Sequence, residues 1–184
     1  MKRLFDIVLS AIALLLLSPV MLTIALLVFW QDGGSPLFLQ TRVGRGCKPF
    51  QIYKFRTMVK DAHLKGQYFT VDNDPRITRL GKFLRKSSLD ELPQLLNILF
   101  GHMSIVGPRP DVPAQQKLYQ PHEWQKRHTV RPGLTGLAQV RRRLESGHAP
   151  RLALDLEYVD NHSFLGDLAI IVQTAWQVIS KGGN

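Results

Sequence analysis

An almost continuous apolar segment opens the chain. Across residues 7–30 only two serines, a threonine and a proline interrupt the apolar side chains. A straight helix of roughly 24 residues would be about 36 Å long, which is enough to cross a hydrocarbon core of about 30 Å. The segment is longer than the apolar part of a secretory signal peptide, and no small-x-small cleavage site follows it. The pattern therefore predicts a membrane helix.

Pro19 lies near the middle of this helix. It removes the backbone hydrogen bond to the Leu15 carbonyl, at a cost of about 3 kcal/mol in a helix interior, and Ser18 could satisfy some of the freed groups. Positive charge flanks both ends, with Lys2 and Arg3 before the apolar segment and several basic residues after it. Because flanking positive charge favours the cytoplasm, two alternatives fit: a re-entrant helix broken at Ser18-Pro19, or a kinked spanning helix.

The remaining chain alternates between strand and helix patterns. Leu37–Val43 and residues 50–57 are β-prone and flank a glycine-rich turn, which predicts a hairpin. Arg79–Lys86 is predicted to be helical, and residues 89–100 form an apolar-periodic helix that ends at Gly101. The sequence predicts a surface loop with a short helical piece at residues 61–76 and a short helix at residues 119–128. It also predicts an irregular turn at residues 107–110 and a loop at residues 131–136.

Residues 152–179 form the last predicted helical stretch. Apolar side chains recur there at helical spacing, and one of them is Trp176. A core helix and a helix at the bilayer interface both fit this pattern. Together the elements predict an α+β fold that is mostly helical, with a membrane segment at residues 1–33 and a compact unit at residues 34–184.

Composition narrows the class of partner. The 184 residues include 24 Lys and Arg against 14 Asp and Glu, a net charge of +10. That balance favours nucleic acid, anionic lipid head groups or phosphorylated substrates. A single cysteine, Cys47, excludes an internal disulfide. The six histidines show no metal-ligand spacing, and no phosphate-binding loop or dinucleotide fingerprint is present.

The segment Leu89-Asp90-Glu91-Leu92-Pro93-Gln94 is the strongest candidate for chemistry. One interpretation is structural, because Ser88-x-x-Glu91 has the form of a helix capping box. Pro93 argues against this interpretation. In a helix capped by Ser88 it would be the fifth helical residue, where a backbone N–H is needed for a hydrogen bond within the helix. The other interpretation is catalytic: an ionised Asp90 at a helix start can attack phosphorus and form an acyl phosphate, where phosphate also binds well.

Basic side chains near this segment could hold a pyrophosphate, which needs several donors. Lys54 and Arg56 are two residues apart on a predicted strand and would share one face. Arg85 precedes Asp90 by five residues. Arg109 lies between two prolines, whose rigid backbone would preorganise its side chain. Each of these cations taken singly could equally be a solvated surface charge.

In this order the motifs resemble the small monotopic phosphoglycosyl transferases, a family of bacterial sugar transferases. The similar segments, which extend over nearly the whole chain, are Lys2-Arg3-x-x-Asp6, Ser18-Pro19, Lys54-Phe55-Arg56-Thr57-Met58, Leu89-Asp90-Glu91-Leu92-Pro93-Gln94, Gly107-Pro108-Arg109-Pro110, Arg131-Pro132-Gly133-Leu134-Thr135-Gly136, and Leu154-Asp155 to Tyr158.

The resemblance implies a re-entrant membrane helix at residues 1–33 with its break at Ser18-Pro19. It also implies a catalytic domain at residues 34–184 with amphipathic interface helices, on the cytoplasmic face of the bacterial inner membrane. Membrane lipids are then partners, and nucleic acid is not. A monomer and a homodimer both fit.

The implied reaction moves a sugar 1-phosphate from a UDP-sugar to polyprenyl (undecaprenyl) phosphate and releases UMP. It would be the first membrane step of a bacterial glycoconjugate pathway. Asp90 would be the nucleophile and a ligand of Mg²⁺, and Glu91 a metal or proton partner. The substrate-binding residues would be Lys54, Arg56, Arg85, Arg109, Arg131 and Asp155. Two rivals remain: a non-catalytic basic membrane module that binds anionic lipids, and a transferase that works without a covalent enzyme adduct.

Overall fold

The computed structural model describes residues 1–62, 74–141 and 147–181. Most of the predicted surface loop at residues 61–76 lies outside the described residues. The described chain is mostly helical with two small sheets. The predicted mostly helical α+β class is therefore confirmed.

Helix α1 (Lys2–Asp32) contains the apolar segment, and Gly33 ends it in the left-handed conformation with φ 66°. The helix continues through Pro19, so the predicted break does not divide it into two helices. The reason is local: the Ser18 hydroxyl donates to the Leu15 carbonyl over 2.8 Å, the group that Pro19 leaves without an N–H. The helix is long and apolar enough to cross a membrane, and little of its apolar part is buried against the rest of the described chain.

The beginning of α1 is anchored to the rest of the chain by polar contacts. The buried Asp6 carboxylate accepts from the Ser104 hydroxyl over 2.9 Å and from the Ile105 N–H over 3.1 Å. Lys2 forms an ion pair with Asp167. These contacts place the first turns of the helix firmly on the folded unit.

The end of α1 contacts the same folded unit. Val28 is buried in a cluster with Phe55 and Leu84, and Asp32 forms an ion pair with Arg56. Between the two anchored ends, one face of the helix packs on the unit through Phe5, Leu9, Ala13, Leu14, Leu17, Met21 and Ala25. Both ends of α1 therefore contact one globular body.

The predicted hairpin is confirmed. Strand β1 (Leu37–Val43) pairs antiparallel with strand β2 (Pro49–Phe55), with Leu37 opposite Phe55. The connecting turn requires Gly46, whose φ is +67°, a conformation in which a Cβ would be strained. The hairpin brings the end of β2 beside the segment that holds the candidate catalytic residues.

The predicted helix at residues 89–100 begins later than expected. Leu89–Glu91 forms a single 3₁₀ turn, and helix α3 (Gln94–Leu99) starts after Pro93. Ser88 has a left-handed φ of 57° and its side chain caps nothing, so the capping-box interpretation is wrong. The proline accounts for the division, because it has no N–H to donate within a helix.

A second sheet was not predicted. Strand β3 (Ser104–Val106) pairs in parallel with strand β4 (Gly133–Thr135), whereas the sequence pattern predicted a loop at residues 131–136 and no element at residues 104–106. The backbones approach so closely that a Cβ on Gly133 would lie 2.1 Å from the Gly107 nitrogen. The Gly107-Pro108-Arg109-Pro110 segment thus rests directly on the β4 segment.

The other helices complete the layer around these sheets. Helix α2 (Arg79–Lys86) has its predicted bounds, and the short helix predicted at residues 119–128 is confirmed as α4 (Pro121–Arg127). The predicted C-terminal stretch is divided into two helices because His162 is extended. The two helices of this stretch are α6 (His148–Asn161) and α7 (Phe164–Lys181). The remaining helix, α5 (Leu137–Arg141), precedes them.

Helix α7 is amphipathic. Ile170 is buried in the main core. Leu165 and Trp176 point outward and are 76% and 70% exposed. The helix therefore has one face on the core and one apolar face that the described chain leaves uncovered.

Asn97 links α3 to the hairpin, and it supplies a test of the fold. Its fully buried amide accepts from the Tyr53 N–H over 3.0 Å and donates to the Gln51 carbonyl over 2.7 Å. We expect Asn97→Leu to lower the free energy of unfolding by about 2 kcal/mol or more, because buried backbone groups lose their partners. Urea unfolding in detergent measures this. The exposed Asn161→Leu is the control, with an expected change below about 0.5 kcal/mol; equal effects would contradict the bridging role.

Candidate active site

Asp90 and Glu91 lie in the 3₁₀ turn between α2 and α3. The left-handed Ser88 on one side and Pro93 on the other keep this turn out of both helices. Both acids are largely covered, with Asp90 only 9% exposed as a residue and the Glu91 side chain 14% exposed. Two adjacent carboxylates are thus held in a partly buried position beside the hairpin.

One oxygen of Glu91 joins two cations. Its Oε1 accepts from Lys54 Nζ over 2.6 Å and from Arg109 Nη2 over 2.9 Å. Burial alone would raise the pKa of Glu91, but Arg109 and Lys54 outweigh it and hold that pKa at about 2. Burial lowers the pKa of Lys54, and the Glu91 charge opposes that lowering. Glu91 is therefore the anion that keeps two cations together.

Asp90 has a different environment. Burial raises its pKa above the ordinary value, and Lys54, Arg85 and Arg109 offset this only in part. Within the described residues no hydrogen bond reaches the Asp90 carboxylate. Its oxygens are therefore available to a ligand, whereas those of Glu91 already serve two cations.

A small pocket opens beside this pair. Its lining residues are Arg42, Ile52, Lys54, Glu91, Gln94, Arg109, Pro110, Gly133 and Leu134. The structure thus brings Lys54, Glu91 and Arg109 together as the sequence predicted. Gln94 was missed as a site residue, although it is part of the same motif: it is 2% exposed, and its Nε2 has no partner among the described residues.

Arg85 lies at the edge of this site. Its Nε donates to the Thr57 hydroxyl over 2.9 Å, and its charge acts on the pKa of Asp90. The predicted proximity of Arg85 to Asp90 is therefore observed.

Two predicted substrate-binding arginines lie elsewhere. Arg56 forms an ion pair with Asp32 at the end of α1, although it follows Lys54 by only two residues. Arg131 donates to the Gly101 carbonyl over 2.9 Å, beyond the far end of α3. Like Asp90 and Arg85, neither is among the residues that line the pocket, and the substrate-binding role of Arg56 and Arg131 stays a prediction.

Asp155 also lies outside the pocket. It is 1% exposed and accepts from Arg127 Nε over 3.0 Å and from Arg127 Nη2 over 2.8 Å. Burial lowers the pKa of Arg127, but Asp155 and Asp111 outweigh it, and the net shift is upward. The structure therefore makes Asp155 the buried partner of Arg127, an arginine that sequence reasoning missed, and the substrate-binding role of Asp155 stays a prediction.

Of the two acids, Asp90 is the one that could bind Mg²⁺. No group of three or more His, Cys, Asp or Glu residues forms a cage in the described ranges. Mg²⁺ usually takes only one or two carboxylates and completes its shell with substrate phosphates and water. Asp90 offers free carboxylate oxygens for this, whereas Glu91 is occupied by Lys54 and Arg109. The donor set fits a metal ion that is shared with a phosphorylated substrate.

A cation-lined carboxylate pair beside an apolar N-terminal helix is typical of enzymes that act on phosphorylated substrates. Comparison with known proteins specifies the class. The family described as bacterial sugar transferase matches residues 1–181. The chain belongs to this family, and it is a phosphoglycosyl transferase.

Three relatives illustrate the family. The exopolysaccharide production protein PSS of Rhizobium leguminosarum bv. phaseoli is 46% identical, over 99% of this chain and 96% of that protein. The UDP-glucose:undecaprenyl-phosphate glucose-1-phosphate transferase of Escherichia coli is 41% identical, over 96% of this chain and 40% of its own length. The UDP-N-acetylgalactosamine-undecaprenyl-phosphate N-acetylgalactosaminephosphotransferase of Aeromonas hydrophila is 38% identical, over 99% and 44%.

The Glu91 ion pairs generate a stability prediction. We expect Glu91→Gln to lower the free energy of unfolding by about 3 kcal/mol, because two cations would remain close together without their anion. The exposed pair of Glu157 and Arg141, with side chains 44% and 55% exposed, supplies the control Glu157→Gln, which should cost less than about 1 kcal/mol. Urea unfolding of both variants in detergent checks this.

The stability difference between the wild type and Glu91→Gln should depend on pH. The folded-state pKa of Glu91, about 2, lies below its ordinary value of 4.5. Its stabilisation is therefore complete above pH 4.5 and is lost as the pH falls toward 2. The difference in unfolding free energy between the wild type and Glu91→Gln should shrink over that window. A difference that stays constant from pH 6 to pH 2 would contradict the ion pairing.

Proposed function

We propose that the protein transfers a sugar 1-phosphate from a UDP-sugar to polyprenyl phosphate, undecaprenyl phosphate in particular, and releases UMP. Two of the relatives carry this donor and acceptor chemistry in their names. The product would be a polyprenyl diphosphate sugar that begins a glycoconjugate such as an exopolysaccharide, the pathway named in another relative. Family membership favours this enzyme over a non-catalytic lipid-binding module.

The observation that carries the mechanism is the contrast between the two acids. Glu91 is held by Lys54 and Arg109, while the Asp90 carboxylate has no hydrogen bond within the described chain. In the proposed first step, an Asp90 oxygen attacks the β-phosphorus of the UDP-sugar. The bond from that phosphorus to the α,β-bridging oxygen breaks, UMP leaves with this oxygen, and the sugar phosphate stays on Asp90 as an acyl phosphate.

The second step returns the enzyme to its starting state. An oxygen of polyprenyl phosphate attacks the same phosphorus, the bond to Asp90 breaks, and the free carboxylate is restored. Lys54, Arg85 and Arg109 would stabilise the charge on the transferring phosphoryl group, since preorganised cations act strongly in a partly buried site. Mg²⁺, when bound by Asp90 and the diphosphate, would neutralise phosphate charge. Glu91 would hold the cations in place.

We propose that α1 is re-entrant even though it is continuous through Pro19. The two ends of the helix, at Asp6 and at Asp32, both bind the folded unit. A helix that crossed the bilayer would carry one end away from that unit. We therefore place the unit on one face of the membrane, the cytoplasmic face of the inner membrane, with Trp176 and the exposed face of α7 against the lipid head groups.

The nucleophile gives the sharpest test of activity. We expect Asp90→Asn to reduce UMP release from UDP-sugars by at least about 10³-fold, because the amide cannot form the acyl phosphate. The matched control is Asp160→Asn, which removes an exposed acid that pairs with Lys126 and should leave turnover unchanged. Full activity in Asp90→Asn would exclude the proposed covalent step.

A second experiment separates the covalent mechanism from a ternary complex. The wild type is incubated with a panel of UDP-sugars and Mg²⁺ but without polyprenyl phosphate, and its peptides are weighed by mass spectrometry. We expect the peptide that contains Asp90 to gain the mass of one sugar phosphate with the cognate donor. No mass gain, combined with normal turnover when the acceptor is added, would favour direct transfer.

Topology can be tested by cysteine labelling from one side of the membrane. Cys47 is exposed, so it is first replaced by serine. Single cysteines are then placed at the exposed Leu4 and Ser35, before and after the apolar segment. An impermeant maleimide should label both positions only after the cells are permeabilised. Labelling of one position in intact cells would indicate a spanning helix.

A further inference from the structure

The backbone carbonyl of Arg109 is bound by two other arginines. Arg127 Nη2 donates to it over 2.7 Å, and Arg151 Nη2 donates to it over 3.0 Å. The side chain of the same residue points the other way, to Glu91. Two guanidinium groups therefore hold the main chain of the residue whose own guanidinium enters the pocket.

The following residues of this loop are held in the same manner. The Pro110 carbonyl accepts from Arg42 Nη1 over 2.8 Å, and the Asp111 carbonyl accepts from the Val43 N–H over 2.9 Å. Loops usually leave such groups to water. Here three consecutive carbonyls are bound by the protein, so the loop is fixed far more firmly than a surface connection requires.

The arginines that hold the loop are themselves buried and paired. Arg127 Nη1 donates to Asp111 over 2.6 Å and its other nitrogens donate to Asp155. The side chains of these three residues are 1%, 0% and 2% exposed. The side chain of Arg151, which is 16% exposed, also donates to Asp111 over 2.9 Å. The Tyr119 hydroxyl donates to the same Asp111 carboxylate over 2.7 Å.

A buried cluster of this kind adds little to stability by itself. Removing a charge from water costs several kcal/mol, and well-packed apolar residues often serve a core equally well. What apolar side chains cannot do is donate to the Arg109 carbonyl. The geometry of Arg127 and Arg151 therefore suits a role in aiming the Arg109 side chain.

We propose that Arg127 and Arg151 are positioning residues, which fix the Arg109 backbone so that its guanidinium faces Glu91 and the substrate phosphate. The proposal rests on the proposed function, since it concerns the same phosphate-binding site. Asp111 and Asp155 serve in it by orienting the two arginines. Neither arginine touches the substrate in this account, and both act through Arg109.

Arg151 offers the cleaner test, because it is partly exposed, whereas Arg127 is buried and its loss would remove the most buried cation beside two acids. Arg151→Met removes the donor to the carbonyl, and Arg151→Lys keeps a cation that can still reach it. The matched control is Lys126→Met, which deletes an exposed cation on α4. Hydrogen exchange of residues 107–112 is measured in each protein, together with UMP release in the Arg109 and Arg109→Ala backgrounds.

We expect Arg151→Met to speed exchange of residues 107–112 and to reduce turnover by roughly 10- to 100-fold, as small misplacements of catalytic groups do. Arg151→Lys should restore much of both, and Lys126→Met should change neither. In the Arg109→Ala background, Arg151→Met should reduce turnover no further. An equal reduction in both backgrounds, or unchanged exchange of the loop, would overturn the positioning role.

The two readouts separate this proposal from the proposed function. If the wild type released no UMP, the proposed reaction would fail. The exchange of residues 107–112 would still decide whether Arg151 fixes the loop: faster exchange in Arg151→Met supports that role, and unchanged exchange contradicts it.

Discussion

The site depends on one interaction, the contact of a single Glu91 oxygen with Lys54 and Arg109. Three elements meet there: the hairpin supplies Lys54, the 3₁₀ turn supplies Glu91, and the loop after β3 supplies Arg109. Two cations this close repel each other, and burial makes that repulsion costly. An ionised carboxylate between them removes the conflict and fixes the relative position of all three elements.

This arrangement leaves Asp90 available for chemistry. Adjacent residues in a turn project in different directions, so one acid can bind the cations while its neighbour faces the ligand. The division depends on Pro93, which prevents the turn from continuing as a helix, and on Ser88, whose positive φ redirects the chain after α2. The different roles proposed for Asp90 and Glu91 therefore follow from one local break in helical structure.

Local patterns predicted the hairpin and α2 well, because strand alternation, turn glycines and helix spacing are properties of neighbouring residues. The β3–β4 pairing was not predicted, because two strands of three residues each, far apart in the sequence, are too short to show strand periodicity. Arg131 and Asp155 were assigned by motif order and Arg56 by strand alternation, and neither pattern reveals which partner a side chain meets. The buried cluster of Arg127 was missed for the same reason: its partners are distant in sequence.

The most direct test of this account is the titration of the two acids in the folded protein. Carboxyl carbons can be followed by NMR in isotope-labelled protein without substrate or metal, with Asp90→Asn and Glu91→Gln used to assign the signals. We expect the pKa of Glu91 to be about 2 and the pKa of Asp90 to lie above its ordinary value of 3.8. The reverse order, with Asp90 as the more acidic group, would contradict it.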